Sequence, residues 1–189
     1  MIKYVMVGLL VVVLLLFNPP EPDDGHYVKR AVPFFSQVDD NWRLVKMGGE
    51  TCACPPIGQC GCTVTSVAMI FSFLGYEVTP RELSECMGDR ACPMQWEKAV
   101  SRCGKGVVKK VKDYKFSWAR LERLVKAQPV IIGLERNNYK ETHFVVVLSG
   151  AGTNYKIHDP KYLTGANDLL SNYTSEDWKP YLIIVYKGK

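Results

Sequence analysis

The spacing of apolar residues along this chain changes character near residue 129. Before that point the apolar positions fall at helical spacing or in solid blocks. After it they come as short runs rich in β-branched and aromatic residues. The densest block starts at Cys62. No charged residue follows until Glu77, and Val67, Met69, Ile70, Phe71, Phe73 and Leu74 leave no polar face wide enough for a surface helix. The pattern therefore predicts a buried central helix that begins at Cys62 and is stopped by Gly75.

Around that helix the other elements follow in order. Val32 to Gln37 is predicted as a short edge strand, and Asp39 to Trp42 as a turn with one apolar anchor. Gly48 to Gly61 is an irregular loop rich in cysteine, proline and glycine. Thr79, Pro80 and Glu82 read as N-cap, first helical position and capping-box acid of a helix. Pro93 to Arg102 is predicted helical and Val107 to Val111 extended. Ser117 to Ala127 is an amphipathic helix carrying Trp118, Leu121, Leu124 and Val125 on one face. Four strands are predicted in the second half, at Pro129–Leu134, His143–Leu148, Tyr155–Asp159 and Tyr181–Tyr186. Helices first and an antiparallel sheet afterwards argue for the α+β class.

The amino terminus has a different pattern. Lys3 precedes an unbroken apolar or glycine run from Tyr4 to Phe17, and Asn18-Pro19-Pro20 and an acidic stretch follow. Residues 1–18 read as a signal peptide or an uncleaved membrane anchor, with the domain outside the membrane. Residues 19–27, including His26, read as a linker, and residues 28–189 as one domain. With 189 residues, 47% of them hydrophobic, the chain can build a full core. The net charge of +5 is spread without a basic run longer than Lys109-Lys110-Val111-Lys112. That argues against a nucleic-acid partner.

Seven cysteines are many for a reducing compartment. Setting Cys62 apart leaves an even number, as disulfides require, with connectivity open. A zinc site built on Cys52, Cys54 and Cys60 is the rival reading, but the spacing lacks the usual repeated gap and no histidine is near. Cys86 and Cys92 flank a short turn and Cys103 ends the next helix. Cys86 and Cys92 are therefore expected to pair with each other or with Cys103.

Cys62 at a helix N-terminus feels unpaired N–H groups and the positive end of the dipole, which favour the thiolate. Its bland alternative is a packed, inert thiol, or one held in a disulfide with nearby Cys60. Three residues could make it a nucleophile. His143, at the start of a strand, can serve as base and proton donor. Asp159, at the end of the next strand, can orient the imidazole. Gln37 can donate its amide to an oxyanion, together with the Cys62 backbone N–H. His158 competes with His143, but it neighbours Asp159 on a strand, so their side chains should point to opposite sides.

Taken in order, Gln37-x-Asp39-x-x-Trp42, Gly61-Cys62-x-x-Thr65-Ser66-x-Ala68-Met69, His143-Phe144-Val145-Val146-Val147 and Asp159-Pro160 resemble the papain-type cysteine peptidases. The likeness is to those related to bacteriocin-processing (double-glycine leader) peptidases, in their stand-alone exported branch. The resemblance implies a papain-like fold over about Val32 to Tyr186, with Cys62 as nucleophile, His143 as base, Asp159 as orienter and Gln37 as oxyanion donor. It implies hydrolysis of peptide or amide bonds in a peptide or protein substrate through a thioester, with no metal or organic cofactor. Thr63-Val64 stand where the family often has glycine and proline. The leader-processing enzymes are fused to a transporter, so their substrate does not carry over. Two other functions fit the same fold: a non-catalytic binding domain with Cys62 in a disulfide, and an acyltransferase in which an amine replaces water. The sequence leaves the oligomeric state and any membrane attachment through an uncleaved segment open.

Overall fold

The buried central helix expected at Cys62 is the piece on which the rest of the domain packs. The structure is a computed structural model that describes residues 31–50, 52–136, 138, 140–164, 168–174 and 177–188. The segment 1–18 expected as a signal or anchor and the expected linker 19–27 with His26 lie outside the described residues. Residues from Ala31 onward form one compact unit.

Helix α1 (Ile57–Cys60) is a single turn inside the cysteine-rich loop. Helix α2 (Cys62–Phe73) is buried along almost its whole length, from Val64 through Ser72. Gly75, at φ +96°, follows its last turn in a conformation that suits glycine. Helix α3 (Pro80–Met87) starts as the sequence predicts: the Thr79 side chain accepts from Glu82 N–H while Glu82 accepts from Thr79 N–H, a full capping box. Helix α4 (Trp96–Lys98) runs on into a π-helical turn over Ala99–Cys103. Helix α5 (Trp118–Val125) is capped by Ser117.

Five strands form one antiparallel sheet in the order β1-β5-β2-β3-β4. They are β1 (Lys110–Lys115), β2 (Val130–Arg136), β3 (Glu141–Ala151), β4 (Asn154–His158) and β5 (Lys179–Lys187). Side chains alternate between the two faces, as period two requires. Ile131, Phe144, Val146, Ile184 and Tyr186 join the core built on α2. Val130, Ile132, Val145, Val147, Ile183 and Val185 join a second core with Leu121 and Val125 of α5 and with Leu170 and Tyr173. The central strands are thus covered on both faces, which is why β2 reads as a solid apolar run. The fold is α+β, with a helical first half and a buried helix packed on an antiparallel sheet.

Two element expectations are corrected. Residues 32–37 are not a strand. Pro33 has no N–H to give a ladder, and the segment instead docks through single bonds: Gln37 N–H to the Pro160 carbonyl at 2.7 Å and Trp42 Nε1–H to the Ser36 carbonyl at 2.7 Å. The strand expected at 107–111 begins at Lys110, because Val107 and Val108 N–H both turn back onto the Gly104 carbonyl.

Disulfides join Cys52 to Cys92, Cys54 to Cys60 and Cys86 to Cys103. Cys86 pairs with Cys103 as one expected alternative had it. Cys92 does not pair with either of those residues; it crosses to Cys52, tying the loop before α1 to the turn before α4. Cys62 is free, not in a disulfide.

Candidate active site

Cys62 is the first residue of α2, reached through a sharp turn at Gly61. A β-carbon at position 61 would press on the Ile57 carbonyl and side chain, so glycine is needed for α1 and α2 to meet this closely. No side chain caps the helix and no acid sits in its first turn. The N-terminal N–H groups and the positive end of the dipole therefore stay available around the sulfur.

Strand β3 brings His143 to that sulfur. Ser66, one turn after Cys62, donates its hydroxyl to the Phe144 carbonyl at 3.2 Å, fastening α2 to β3 beside the histidine. His143 and the Phe144 N–H come close enough to the thiol to favour its ionised form. On its other side His143 Nε2 lies 2.7 Å from Asp159 Oδ1. Asp159 directly follows β4, which pairs with β3, so the expected closeness of the two strand ends holds. Because Nε2 faces the carboxylate, Nδ1 is the ring nitrogen left for the sulfur. Asp159 is 2% exposed and sits behind His143, not on the cleft surface.

Burial alone would push the Cys62 thiol up, but the hydrogen bond and charge of His143, with Phe144 N–H and Thr63, bring it below its ordinary value. Burial would pull His143 down, but Asp159 and Cys62 raise it to about 9. Burial would raise Asp159, but His143, Tyr173 and the Lys161 N–H hold it below the usual carboxylate range. The directions agree: at neutral pH the arrangement favours thiolate, imidazolium and carboxylate in a row.

Gln37 is 4% exposed and lines the same cleft as Cys62 and His143. Its Nε2 donates to the carbonyls of Gly58 and Gln59 at 3.2 and 3.3 Å. Both are long, and Oε1 is buried without a hydrogen-bond partner among the described residues. For the amide to reach an oxyanion, one of these two bonds has to be exchanged. His158 points elsewhere: its Nε2–H donates to the Val32 carbonyl at 3.1 Å, and its ring meets Phe34 edge-on.

The cleft is open and measures about 990 Å³. Thr63, Arg136, Tyr173 and Trp178 line it beside the thiol and imidazole, and the Cys54–Cys60 disulfide forms part of its wall. The sequence reading missed three contributors. Ser66 lies in a motif it quoted, yet its bond to β3 appears only when strand and helix are assembled. Tyr173 and Trp178 come from the chain between β4 and β5, where no pattern marks them. Among the described residues no cluster of histidine, cysteine and acid could hold a metal ion. Among them, too, no helix is long and apolar enough to cross a membrane.

A family model described as the Peptidase_C39 like family matches residues 29–181. Five solved chains match this one. Among them is the crystal structure of a Bacillus anthracis protein described, by likeness, as a C39-like peptidase. It is 16% identical, covers 84% of this chain and 96% of that chain, and has a TM-score of 0.49. No curated protein matches.

Proposed function

The chain belongs to the Peptidase_C39 like family, and from that premise we propose that it is an exported cysteine peptidase or amidase. The Cys62 thiolate attacks the carbonyl carbon of a peptide or amide bond. Imidazolium at His143 gives its proton to the leaving amine, and a thioester remains on Cys62. Water, deprotonated by the now neutral His143, then attacks the thioester, which releases the acyl group as a carboxylic acid and restores the thiolate–imidazolium pair. Asp159 keeps Nε2 occupied so that Nδ1 faces the sulfur. The Cys62 backbone N–H and the Gln37 amide serve the oxyanion, Gln37 by giving up one of its two carbonyl acceptors. Every step is acid–base and acyl chemistry that these side chains carry out themselves.

The observation that carries this reading is a free thiol and a histidine lining one cleft, with a buried carboxylate 2.7 Å behind the imidazole. A binding domain with Cys62 locked in a disulfide fits less well, because the other six cysteines pair among themselves. Those three disulfides also support an oxidising location, and residues 1–18 would supply the export signal or anchor. The test is digestion of a peptide library by the purified domain, read by mass spectrometry. Cleavage at defined bonds that vanishes in Cys62→Ala supports the reading. Products extended by an added amine would make the enzyme a transferase, and no cleavage or transfer at all would return it to the binding-domain class.

A further inference from the structure

Behind the imidazole, a phenol that the peptidase mechanism above does not use meets the carboxylate. Tyr173 follows the short 3-10 turn Leu170–Asn172 and is 7% exposed. Its hydroxyl donates to Asp159 Oδ2. The other oxygen, Oδ1, takes His143 Nε2 at 2.7 Å and the Lys161 N–H at 2.9 Å. One oxygen of the carboxylate thus meets the histidine and the other meets the tyrosine.

The rings repeat that arrangement. Tyr173 packs against the His143 ring at 5.5 Å between centroids. Trp178 meets His143 edge-on at 6.3 Å and Tyr173 at 5.9 Å. The Arg136 guanidinium sits 5.2 Å over Trp178 and is itself held by Glu141. The terminal torsion of an aspartate is soft and nearly two-fold, so a donor on each oxygen restrains the carboxylate's rotation more than donors on one oxygen do.

We propose that Tyr173 is a positioning residue of the peptidase reaction. Its hydroxyl fixes the rotation of the Asp159 carboxylate so that Oδ1 stays on the imidazole. Its ring, packed against the imidazole, holds that hydroxyl beside the carboxylate. The role rests on the peptidase reading, since a positioning residue needs a reaction to serve. It differs from simple packing because Tyr173 acts through Asp159. The consequence is electrostatic as well as geometric: a buried carboxylate that loses a donor holds its proton to higher pH.

The experiment compares the wild type, Tyr173→Phe, Asp159→Asn and the double variant, with p-nitrophenyl acetate as acyl donor and NMR titration of the Asp159 carboxyl alongside. Tyr173→Phe is expected to raise the Asp159 midpoint by about one pH unit. It should slow deacylation about tenfold, the low end for a lost hydrogen bond to a charged group. In the Asp159→Asn background the same change should cost almost nothing, because the residue it acts through is gone. Should the phenylalanine variant not fold, 3-fluorotyrosine at position 173, a stronger donor, should move the Asp159 midpoint down. An unmoved midpoint, or an equal loss of rate in both backgrounds, overturns the role for Tyr173 while leaving the peptidase reading standing. An acylation burst that survives in Cys62→Ala sinks the peptidase reading, and the role falls with it.

Discussion

His143 Nε2 and Asp159 Oδ1 lie 2.7 Å apart in a pocket where the histidine is 7% and the aspartate 2% exposed. Both partners are largely withdrawn from water there. The bond commits one ring nitrogen and leaves the other to Cys62, so a contact made behind the cleft decides which atom faces it.

That buried bond makes stability depend on acid. Asp159 is held below the usual carboxylate range in the folded chain, against about 3.9 when unfolded. A depressed carboxylate contributes stability that is present above its unfolded pKa and is lost as pH falls through the folded one. Asp159→Asn should therefore destabilise the domain at pH 6, and the gap from wild type should close as pH drops below about 4. Chemical denaturation at pH 6 and pH 3 checks this. A gap that widens in acid would contradict the pairing. The same variant should lose less activity than Cys62→Ala or His143→Ala, because it removes orientation and not chemistry.

Gln37 offers a separable test of the oxyanion site. Gln37→Ala should lower turnover by about 10²–10³ while iodoacetamide still alkylates Cys62 at nearly the wild-type rate, since the amide acts on the oxyanion and not on the thiol. The bonds from Gln37 to the Gly58 and Gln59 carbonyls give the alternative a clear signature. If the residue only braces α1, alkylation of Cys62 changes along with turnover.

The disulfides should differ in how readily they are reduced. Cys60 is exposed at the cleft, whereas Cys52 and Cys103 are buried. Limited reduction followed by peptide mapping should open Cys54–Cys60 first and Cys86–Cys103 last. Replacing Cys86 and Cys103 by serine should cost about 2–4 kcal/mol in unfolding free energy by the loop-closure relation. Simultaneous opening of all three bonds would mean that reduction follows global unfolding and not local exposure.

How far the sequence could be read depended on how local each signal was. The α2 block announced itself because Cys62 to Leu74 carries no charge. The thiol, His143 and Asp159 stand out as candidates because Cys62 opens the apolar block of α2, His143 lies near the start of β3 and Asp159 directly follows β4. Gln37 has no local signal beyond a neutral amide ahead of the cysteine, and the family resemblance strengthens that reading. Cys92 joins Cys52 instead of the nearby Cys86 or Cys103, a partner 40 residues away that is reached only when the loop before α1 folds back. Residues 32–37 have the composition of a strand, yet their hydrogen bonds go singly to the Pro160 carbonyl and inward from Trp42. Tyr173 escaped notice for the same reason as Cys52: its meaning is a contact with Asp159 that exists only in the assembled site.

The central claim is that Cys62 and His143 form one ionised pair, and the pH dependence of Cys62 alkylation tests it most directly. Iodoacetamide rates are measured from pH 5 to pH 10 in the wild type and in His143→Ala, with mass spectrometry confirming the labelled residue. In the wild type, labelling should already be fast at neutral pH, well below the free-thiol pKa of about 8.5, and a second inflection should appear near pH 9, where His143 loses its proton. In His143→Ala the second inflection should vanish and labelling at pH 7 should slow, the thiolate forming only at higher pH. Equal rates in the two proteins across the neutral range would mean that the thiol and the imidazole are not a pair, and the peptidase account would have to give way to the binding-domain one.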